Sequence, residues 1–197
     1  MDNPLSRGIA ILLTDSPQRA AMMRAALEAA GYRVAAVIAS IDNLRNELMR
    51  TEPHVTVIDT DAPTPAFLEQ LASINHDWPR PMVMFSSDGK AEVIRQVVAA
   101  GVSSYIVDGW DASRMPGILD VAIARFEAQQ RLLAELALAN LKLSERKLVD
   151  RAKGILMKSR ALSEDEAYHA LRKLAMTHNK RIGEAAQMLI DVEGLMS

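Results

Sequence analysis

The chain has 197 residues and no cysteine, with 23 lysine and arginine against 25 aspartate and glutamate residues, for a formal net charge of −2 at pH 7. This length suffices for one or two domains with a real hydrophobic core. The lack of cysteine excludes a disulfide scaffold, a cysteine-ligated zinc site and a thiol nucleophile. Residues 1–4 lack the pattern of a signal peptide, and no apolar run approaches the ~20 residues of a membrane span. We therefore expect a soluble, cytoplasmic protein with no membrane partner.

The charge is divided unevenly along the chain. Residues 1–137 carry 12 basic and 17 acidic side chains, whereas residues 138–197 carry 11 basic and 8 acidic side chains. The apolar pattern changes as well, because short β-rich runs alternate with helical segments in the first part and only helical patterns follow Gly117. Two modules with different roles are expected, and the near-neutral total does not exclude a polyanionic partner for the second.

The N-terminal module alternates five short apolar runs with helical patterns. Ser16 before Pro17 and Thr64 before Pro65 each combine an N-cap residue with a proline at the first helical position, and Gly31 is placed to end the first helix. Alternating strands and helices predict an α/β fold with a parallel sheet covered on both faces. The five predicted strands are Ile9–Thr14, Arg33–Ile38, Val55–Asp59, Pro81–Ser86 and Ser104–Val107.

Polar residues follow three of these runs, at the sheet edge where ligands of such folds bind. Carboxylates beside hydroxyl groups are suited to holding a divalent cation or to accepting a phosphoryl group. The alternative is that acids and serines stand there only because they begin turns and cap helices. The residues concerned are Thr14, Asp15, Asp59, Asp61, Ser86 and Ser87.

Over about residues 7–125 the sequence resembles the receiver domain of bacterial two-component response regulators. Asp15 lies sixteen residues before Gly31, as the second acidic residue of that family does, and Asp59 in Val-Ile-Asp-Thr-Asp-Ala-Pro matches the phospho-acceptor. Ser86 matches the hydroxyl residue and Tyr105 the switch aromatic. The resemblance implies a flavodoxin-like receiver with a parallel five-stranded sheet.

Two departures from the family pattern concern the pocket around Asp59. Thr14 stands in place of the first acidic residue, and Asp108 stands in place of the lysine that reaches the phosphoryl group. The first change weakens any Mg²⁺ site formed by Asp15 and Asp59, and the second replaces an attractive charge by a repulsive one. We expect no required cofactor and a receiver controlled by a docking partner more than by phosphorylation, with Asp61 as a further pocket residue.

A long helix is predicted from about Pro116 to Lys158, because no further proline interrupts this stretch. A 3-4 apolar repeat with one asparagine among leucines is typical of a two-stranded coiled coil. The alternative is a helix packed in the core of its own chain. The predicted dimer contacts are Leu119, Phe126, Leu133, Leu136, Asn140 and Leu143.

Three helical stretches are predicted at the C-terminus: the end of the long helix, Glu164–Thr177 and Arg181–Val192. Ser163 with Glu166 fits a capping box. Two rows of basic side chains on the long helix are suited to contact a phosphate backbone, although a basic helix face is often merely solvated. Gly154 inside this helix requires a reason, such as close approach of another backbone or a ligand. The candidate binding residues are Arg146, Lys147, Arg151, Lys153, Gly154, Lys158, Arg172 and Lys173.

The string Asp-Arg-Ala-Lys-Gly-Ile-Leu-Met at 150–157, with Glu-Ala-Tyr at 166–168, resembles the ANTAR domain, an RNA-binding output module. The resemblance covers roughly Leu143–Asp191. It implies binding of paired hairpins in nascent leader mRNA, transcription antitermination, homodimers and control by a ligand-sensing protein. Within the family, the arrangement is most similar to the antiterminators of nitrate assimilation. The implied domains are a (pseudo)receiver at 1–116, a coiled-coil linker at 117–142 and an RNA-binding ANTAR domain at 143–197.

Three other functions remain open from the sequence. A phosphorylation-dependent, DNA-binding response regulator would need its basic residues on a recognition helix, whereas they lie mainly on the long helix. An enzyme is not expected, because the four histidines show no metal-binding spacing and no nucleotide-binding motif is present. A scaffold that only dimerises would leave the basic rows and Gly154 without a role.

Overall fold

The computed structural model describes residues 7–109 and 111–196, with side chains up to residue 193. Packing divides the chain into two units, one ending at Gln130 and one beginning at Arg131. The division falls inside a single helix of 46 residues. The predicted boundary at residue 116 lies earlier, before a stretch of this helix that packs on the sheet. No helix in the described ranges is both long and apolar enough to cross a membrane.

The first unit is built on five parallel strands in the order β2-β1-β3-β4-β5, as expected for a receiver fold. Four helices alternate with the strands, and the start of a fifth covers the sheet. Two short 3₁₀ turns, Ile41–Asn43 and Ala112–Arg114, precede α2 and α5. In chain order the elements are β1 Gly8–Thr14, α1 Pro17–Ala29, β2 Tyr32–Ile38, α2 Leu44–Thr51, β3 Val55–Asp59, α3 Pro65–Asp77, β4 Met82–Ser86, α4 Ala91–Ala99, β5 Ser104–Val107 and α5 Met115–Arg160.

Two hydrophobic cores lie on opposite faces of this sheet. One combines alternate residues of β1 and β3 with α1 and with Met115, Leu119 and Ala122 of α5. The other contains the intervening strand residues and the apolar faces of α2, α3 and α4. Because the two sets alternate along the strands, the central strands β3 and β4 are buried over their whole length. Polar groups are therefore presented only at the ends of the strands.

Local signals in the sequence set the helix ends of this unit. The Ser16 hydroxyl accepts a hydrogen bond from the Arg19 N–H, and the Thr64 hydroxyl accepts one from the Phe67 N–H, so both predicted N-caps are confirmed. Gly31 adopts φ of 89°, a left-handed conformation that favours glycine after a helix. These caps fix where α1 and α3 begin, and α1 carries the pocket residue Arg19.

The second unit contains the rest of α5, α6 (Glu164–Thr177) and α7 (Ile182–Met196). Its core is small and consists of one face of each helix, with Ala152 and Leu171 fully buried. The remaining buried residues of this core are Leu156, Ala167, Ala175, Ala185, Ala186 and Ile190. The three predicted helices are confirmed, and the last one continues beyond Val192.

The capping box at the start of α6 offers a stability test. The Ser163 hydroxyl accepts from the Glu166 N–H, and the Glu166 carboxylate accepts from the Ser163 N–H. We expect Ser163→Ala to lower the free energy of unfolding of the second unit by about 1 kcal/mol, measured by thermal denaturation followed by circular dichroism.

The same box gives a pH dependence with a defined sign. The hydrogen bond from the Ser163 N–H holds the pKa of Glu166 below its ordinary value. The stabilisation by this carboxylate is therefore fully present at pH 6 and is lost as the pH falls through the lowered pKa, below the usual glutamate value of about 4.3. Glu166→Gln should accordingly lower the melting temperature at pH 6, and the difference from the original chain should shrink towards pH 3. A difference that is constant over this range would contradict the box.

Candidate functional site

Three strand ends meet at one edge of the sheet and bring the predicted pocket residues together. Thr14 at the end of β1 lies opposite Asp59 at the end of β3, and Asp59 lies opposite Phe85 of β4. The Thr14 hydroxyl donates to Asp59 Oδ2 over 2.7 Å. The Asp59 side chain is only 8% exposed, so its charge has lost nearly all contact with water. A buried carboxylate of this kind requires a charged or hydrogen-bonding partner.

Arg19 of α1 supplies that partner, and it is not among the site residues predicted from the sequence. Its Nε lies 2.7 Å from Asp59 Oδ2 and its Nη1 lies 2.5 Å from Asp61 Oδ1. Its Nη2 lies 3.6 Å from Asp15 Oδ1. The hydrogen bond with Asp61, together with the attraction of Asp59, raises the pKa of the Arg19 guanidinium above its already high ordinary value. Each guanidinium nitrogen thus faces a different carboxylate of the pocket.

The hydroxyl groups of β4 bind the loop that follows β3. Ser86 Oγ and Ser87 Oγ donate to the Asp61 carbonyl oxygen over 2.9 and 2.8 Å. The Ser86 hydroxyl also accepts a hydrogen bond from the Asp88 N–H at 3.2 Å. These bonds hold Asp61 in the position from which its carboxylate reaches Arg19.

Tyr105 and Asp108 lie further along the same edge. The Tyr105 hydroxyl donates to the Asp88 carbonyl oxygen over 2.6 Å, and the ring is partly buried against the sheet. Asp108 has φ of 54° and an exposed side chain, and its N–H donates to the Ser86 carbonyl oxygen. The structure therefore brings Thr14, Asp15, Asp59 and Asp61 together around Arg19, with Ser86 in support.

A second candidate site is the basic surface of the second unit. Lys147, Arg151 and Lys158 of α5 are exposed, and within the described residues none of the three forms an ion pair. Arg146 is 83% exposed, and among the acidic residues that the structure describes it pairs with Asp150 alone, over 3.9 Å. These cations are available to an external anion, as the sequence predicts.

Helix α6 adds two further cations to this surface. Arg172 and Lys173 are exposed and, together with His169, Met176 and Thr177, line an open groove of about 550 Å³. A guanidinium, an ammonium and an imidazole beside apolar atoms combine phosphate-binding and base-stacking groups. The groove lies entirely on α6.

Lys153 differs from the other predicted binding residues. Its side chain is 16% exposed, and its Nζ lies 2.7 Å from Glu164 Oε1 and 2.9 Å from Asp150 Oδ1. The hydrogen bond with Glu164, followed by that with Asp150, raises the pKa of Lys153. The prediction that Lys153 is available to phosphates is therefore wrong: spacing placed it in a basic row, but its ammonium joins α5 to the start of α6.

Gly154 lies in the C-terminal part of α5, six residues before the helix ends at Arg160 and between the unpaired cations Arg151 and Lys158. A side-chain carbon added at this position would meet no described atom within 4 Å. Glycine inside a helix costs about 1 kcal/mol relative to alanine, and no packing within the described chain requires it. Within the described residues, no steric contact accounts for this glycine.

A face of α5 in the second unit carries exposed leucines, which we call the leucine face: Leu133, Leu136, Asn140 and Leu143. These occupy the a and d positions of a heptad repeat. The three leucines are 50–57% exposed. Leu141 and Leu148 lie on another side, where they line a cleft of about 370 Å³ with α7. Beyond Leu143, the next a positions on the leucine face are Lys147 and Gly154.

Two predicted dimer contacts, Leu119 and Phe126, precede the leucine face along α5 and are less exposed than its leucines. Leu119 is fully buried in the core of the first unit, so its assignment to a dimer surface is wrong. The heptad pattern continues through Leu119, but the sheet already covers this side of α5. Phe126 is partly buried in the first unit, beside Ile123 and Tyr32 at the opposite end of the sheet from Asp59.

Comparison with known sequences identifies the C-terminal unit. Residues 138–190 match the family model of the ANTAR domain. The chain is 23% identical over 143 residues to the transcriptional regulatory protein PdtaR of Mycobacterium tuberculosis (strain H37Rv), covering 73% of this chain and 70% of that protein. It is 42% identical over 66 residues to the nitrate regulatory protein of Klebsiella oxytoca, covering 34% of this chain but 17% of that protein.

Comparison with solved structures identifies the fold of the first unit. The signal receiver domain of a modulated diguanylate cyclase from Desulfovibrio desulfuricans G20 superposes with a TM-score of 0.54 at 17% identity, covering 62% of this chain and 98% of that one. A LuxR-family two-component response regulator from Aurantimonas sp. SI85-9A1 gives 0.54 at 22% identity, covering 60% and 86%. The first unit thus has a receiver fold, and residues 138–190 match the ANTAR domain.

Proposed function

We propose that this chain, in which an ANTAR domain follows a receiver fold, is a transcription antitermination regulator and not an enzyme. Its C-terminal unit binds hairpins in nascent leader mRNA in the cytoplasm and prevents a terminator from forming. The observation that carries the proposal is the ANTAR match at 138–190, which coincides with the unpaired cations of α5. The similarity to a nitrate regulatory protein supports nitrate and nitrite assimilation genes as the target.

The binding surface consists of exposed cations, and within the described residues only Arg146 among them has an acidic partner, Asp150 at 3.9 Å. Phosphates attract these side chains without sequence preference, while unpaired loop bases supply the specificity. Arg146, Lys147, Arg151 and Lys158 of α5 hold the phosphates around Gly154, and Arg172 and Lys173 extend the surface along α6. Within the implied domains, 143–197 is the RNA-binding part, 117–142 the linker and 1–116 the (pseudo)receiver.

The leucine face supports a homodimer of this chain. Three leucines with half or more of their surface exposed at a and d positions favour pairing with an identical helix, and Asn140 at an a position favours an in-register, two-stranded arrangement. A symmetric dimer presents two RNA-binding surfaces, which matches a leader with two hairpins.

The receiver is controlled by a ligand-sensing protein more than by phosphorylation of Asp59. The pocket has no lysine at position 108, and the Asp59 carboxylate is engaged by Thr14 and Arg19. Neither feature favours attack of this carboxylate on a phosphoryl donor. Incubation with acetyl phosphate and Mg²⁺ followed by mass spectrometry tests this part, and stoichiometric labelling of Asp59 with a change in RNA affinity would contradict it.

The test of the RNA-binding function begins with selection. The full chain is mixed with a pool of two-hairpin RNAs with fixed stems and randomised loops, and an enriched member becomes the probe. We expect this RNA to bind at least 10-fold more tightly than a DNA duplex of equal charge at the same salt concentration, since phosphate contacts alone would bind both. Preference for the duplex would support a DNA-binding regulator instead. Absence of enrichment would support a scaffold.

Gly154 gives a prediction in which stability and binding move in opposite directions. We expect Gly154→Ala to raise the free energy of unfolding by up to about 1 kcal/mol, since alanine is the better helix former and meets nothing in the described chain. We expect the same change to weaken binding of the selected RNA about 10-fold, because the added methyl group separates the RNA from the helix backbone. Thermal denaturation and filter binding measure the two effects.

Gly117 provides the matched control for Gly154. It lies in the first turn of the same helix and likewise has no described atom within 4 Å of an added side-chain carbon. Gly117→Ala should leave RNA affinity unchanged. If Gly154→Ala weakens self-association instead of RNA binding, the space at Gly154 accommodates a second copy of the chain.

A further inference from the structure

Arg19 occupies the centre of the carboxylate pocket at the end of the sheet. The receiver fold implies that a divalent metal ion binds at such a pocket, between the acids that follow β1 and β3. In this chain the guanidinium stands among the same acids, with its three nitrogens directed at Asp15, Asp59 and Asp61 over 3.6, 2.7 and 2.5 Å. The positive charge of the pocket is thus part of the chain itself.

The donor set does not fit Mg²⁺. This ion requires near-octahedral oxygen ligands at about 2.0–2.1 Å with open lone pairs. Asp59 Oδ2 already accepts hydrogen bonds from the Thr14 hydroxyl and from Arg19 Nε, each at 2.7 Å. A threonine also replaces one of the two acids that would contribute charge. A metal ion could use Asp59 Oδ2 as a ligand only after Arg19 had left this oxygen.

We propose that Arg19 is the permanent cation of this pocket, which holds Asp59 as a structural ion-pair partner and excludes a divalent metal ion. Arg19 ties the first turn of α1 to the ends of β1 and β3. Asp59 is nearly buried, so loss of Arg19 leaves a carboxylate without a counter-charge, which is strongly unfavourable. This inference deepens the proposed phosphorylation-independent control and does not depend on RNA binding.

The test is a magnesium titration of the full chain followed by tryptophan fluorescence. Residues 131–197 contain no tryptophan, so the fluorescence signal reports unfolding of the first unit and not of the second. We expect 10 mM MgCl₂ to leave the melting temperature of the original chain unchanged. Arg19→Gln should lower the melting temperature by about 5 °C without magnesium, and magnesium should restore part of this loss because three carboxylates are then unpaired.

Arg24→Gln is the matched control. It removes one arginine from the same helix, where Arg24 forms an exposed i,i+4 ion pair with Glu28. This variant should melt within about 1 °C of the original chain and should show no response to magnesium. A magnesium response equal to that of Arg19→Gln would show that any loss of positive charge on α1 suffices, and would overturn the proposal.

A double variant separates the ion pair from packing. Adding Asp59→Asn to Arg19→Gln removes the unpaired buried charge, so we expect it to recover at least half of the lost melting temperature and to abolish the magnesium response. If the double variant is as unstable as Arg19→Gln alone, Arg19 acts through packing and the proposal is wrong.

If Arg19→Gln does not fold, the test rests on the original chain, and a rise in the melting temperature of that chain with magnesium contradicts the proposal. Selection of RNA is measured separately, so failure here leaves the RNA-binding function standing.

Discussion

Replacing Lys147, Arg151 and Lys158 together by glutamine should weaken binding of the selected hairpin RNA by about 100-fold or more at fixed salt. Each of these cations is exposed and unpaired within the described residues, so each is available to a phosphate. Loss of three phosphate contacts should also lower the slope of log affinity against log salt by about two to three. Filter binding over a series of salt concentrations measures both quantities.

The control must change the net charge equally without touching this surface. Replacing Arg33, Arg95 and Arg125 by glutamine removes the same number of positive charges, and all three arginines are exposed in the first unit. We expect this variant to bind RNA within about 3-fold of the original chain, because none of the three arginines belongs to the proposed RNA-binding surface. Equal losses in the two triple variants would mean that net charge, and not this face of α5, determines RNA affinity.

Replacing Leu136 and Leu143 together by aspartate should convert the chain from a dimer to a monomer at micromolar concentration, as measured by analytical ultracentrifugation. Both side chains are more than half exposed within the chain, so the change should cost its own fold little. In a two-stranded coiled coil, the same positions would place four carboxylates in the apolar interface, where unpaired charges are strongly unfavourable.

Leu138 is the matched control for this experiment. It is 55% exposed but occupies the f position of the heptad, the one most distant from a partner helix. Leu138→Asp should leave the chain dimeric, whereas the single variant Leu136→Asp should already weaken the dimer. Equal effects of the two substitutions would contradict pairing through the leucine face. Monomers in the original chain would contradict the homodimer itself.

Much of the fold follows from local sequence signals. Ser16, Thr64 and Ser163 cap helices as their positions predict, and the five apolar runs form the parallel sheet in the expected layers. Helix caps and the alternation of strands and helices depend on residues that are close together in the sequence. Sequence patterns describe such short-range relations directly.

The pocket was predicted only in part, because its acids end strands whereas its cation comes from a helix. Asp15, Asp59 and Asp61 follow strands of the sheet, and strand ends are the positions that a sequence pattern can place together. Arg19 becomes a neighbour of Asp59 only after α1 has packed on the sheet. The sequence nonetheless contained an indication: Arg19 lies four residues after Asp15, in the first turn of the helix that Ser16 caps, and the usual lysine is missing at position 108.

Two other errors have a common cause. Leu119 continues the heptad pattern and Lys153 continues the basic rows, but periodicity describes one helix face and not what covers it. The sheet covers Leu119, and Glu164 at the start of α6 pairs with Lys153. The helical pattern itself was therefore correct. It led to a wrong role only for residues that lie against another element of the same chain.

The leucine face turns basic after Leu143, so the proposed self-association and the proposed RNA binding would be thermodynamically linked. In a parallel pair, Lys147 of one protomer would face Lys147 of the other, so the two copies repel each other until an anion enters between them. Bound RNA removes that repulsion and tightens the dimer. By reciprocity, a higher protein concentration must tighten RNA binding by the same coupling free energy. A sensor protein could then silence the regulator simply by holding single protomers, without touching the RNA-binding surface.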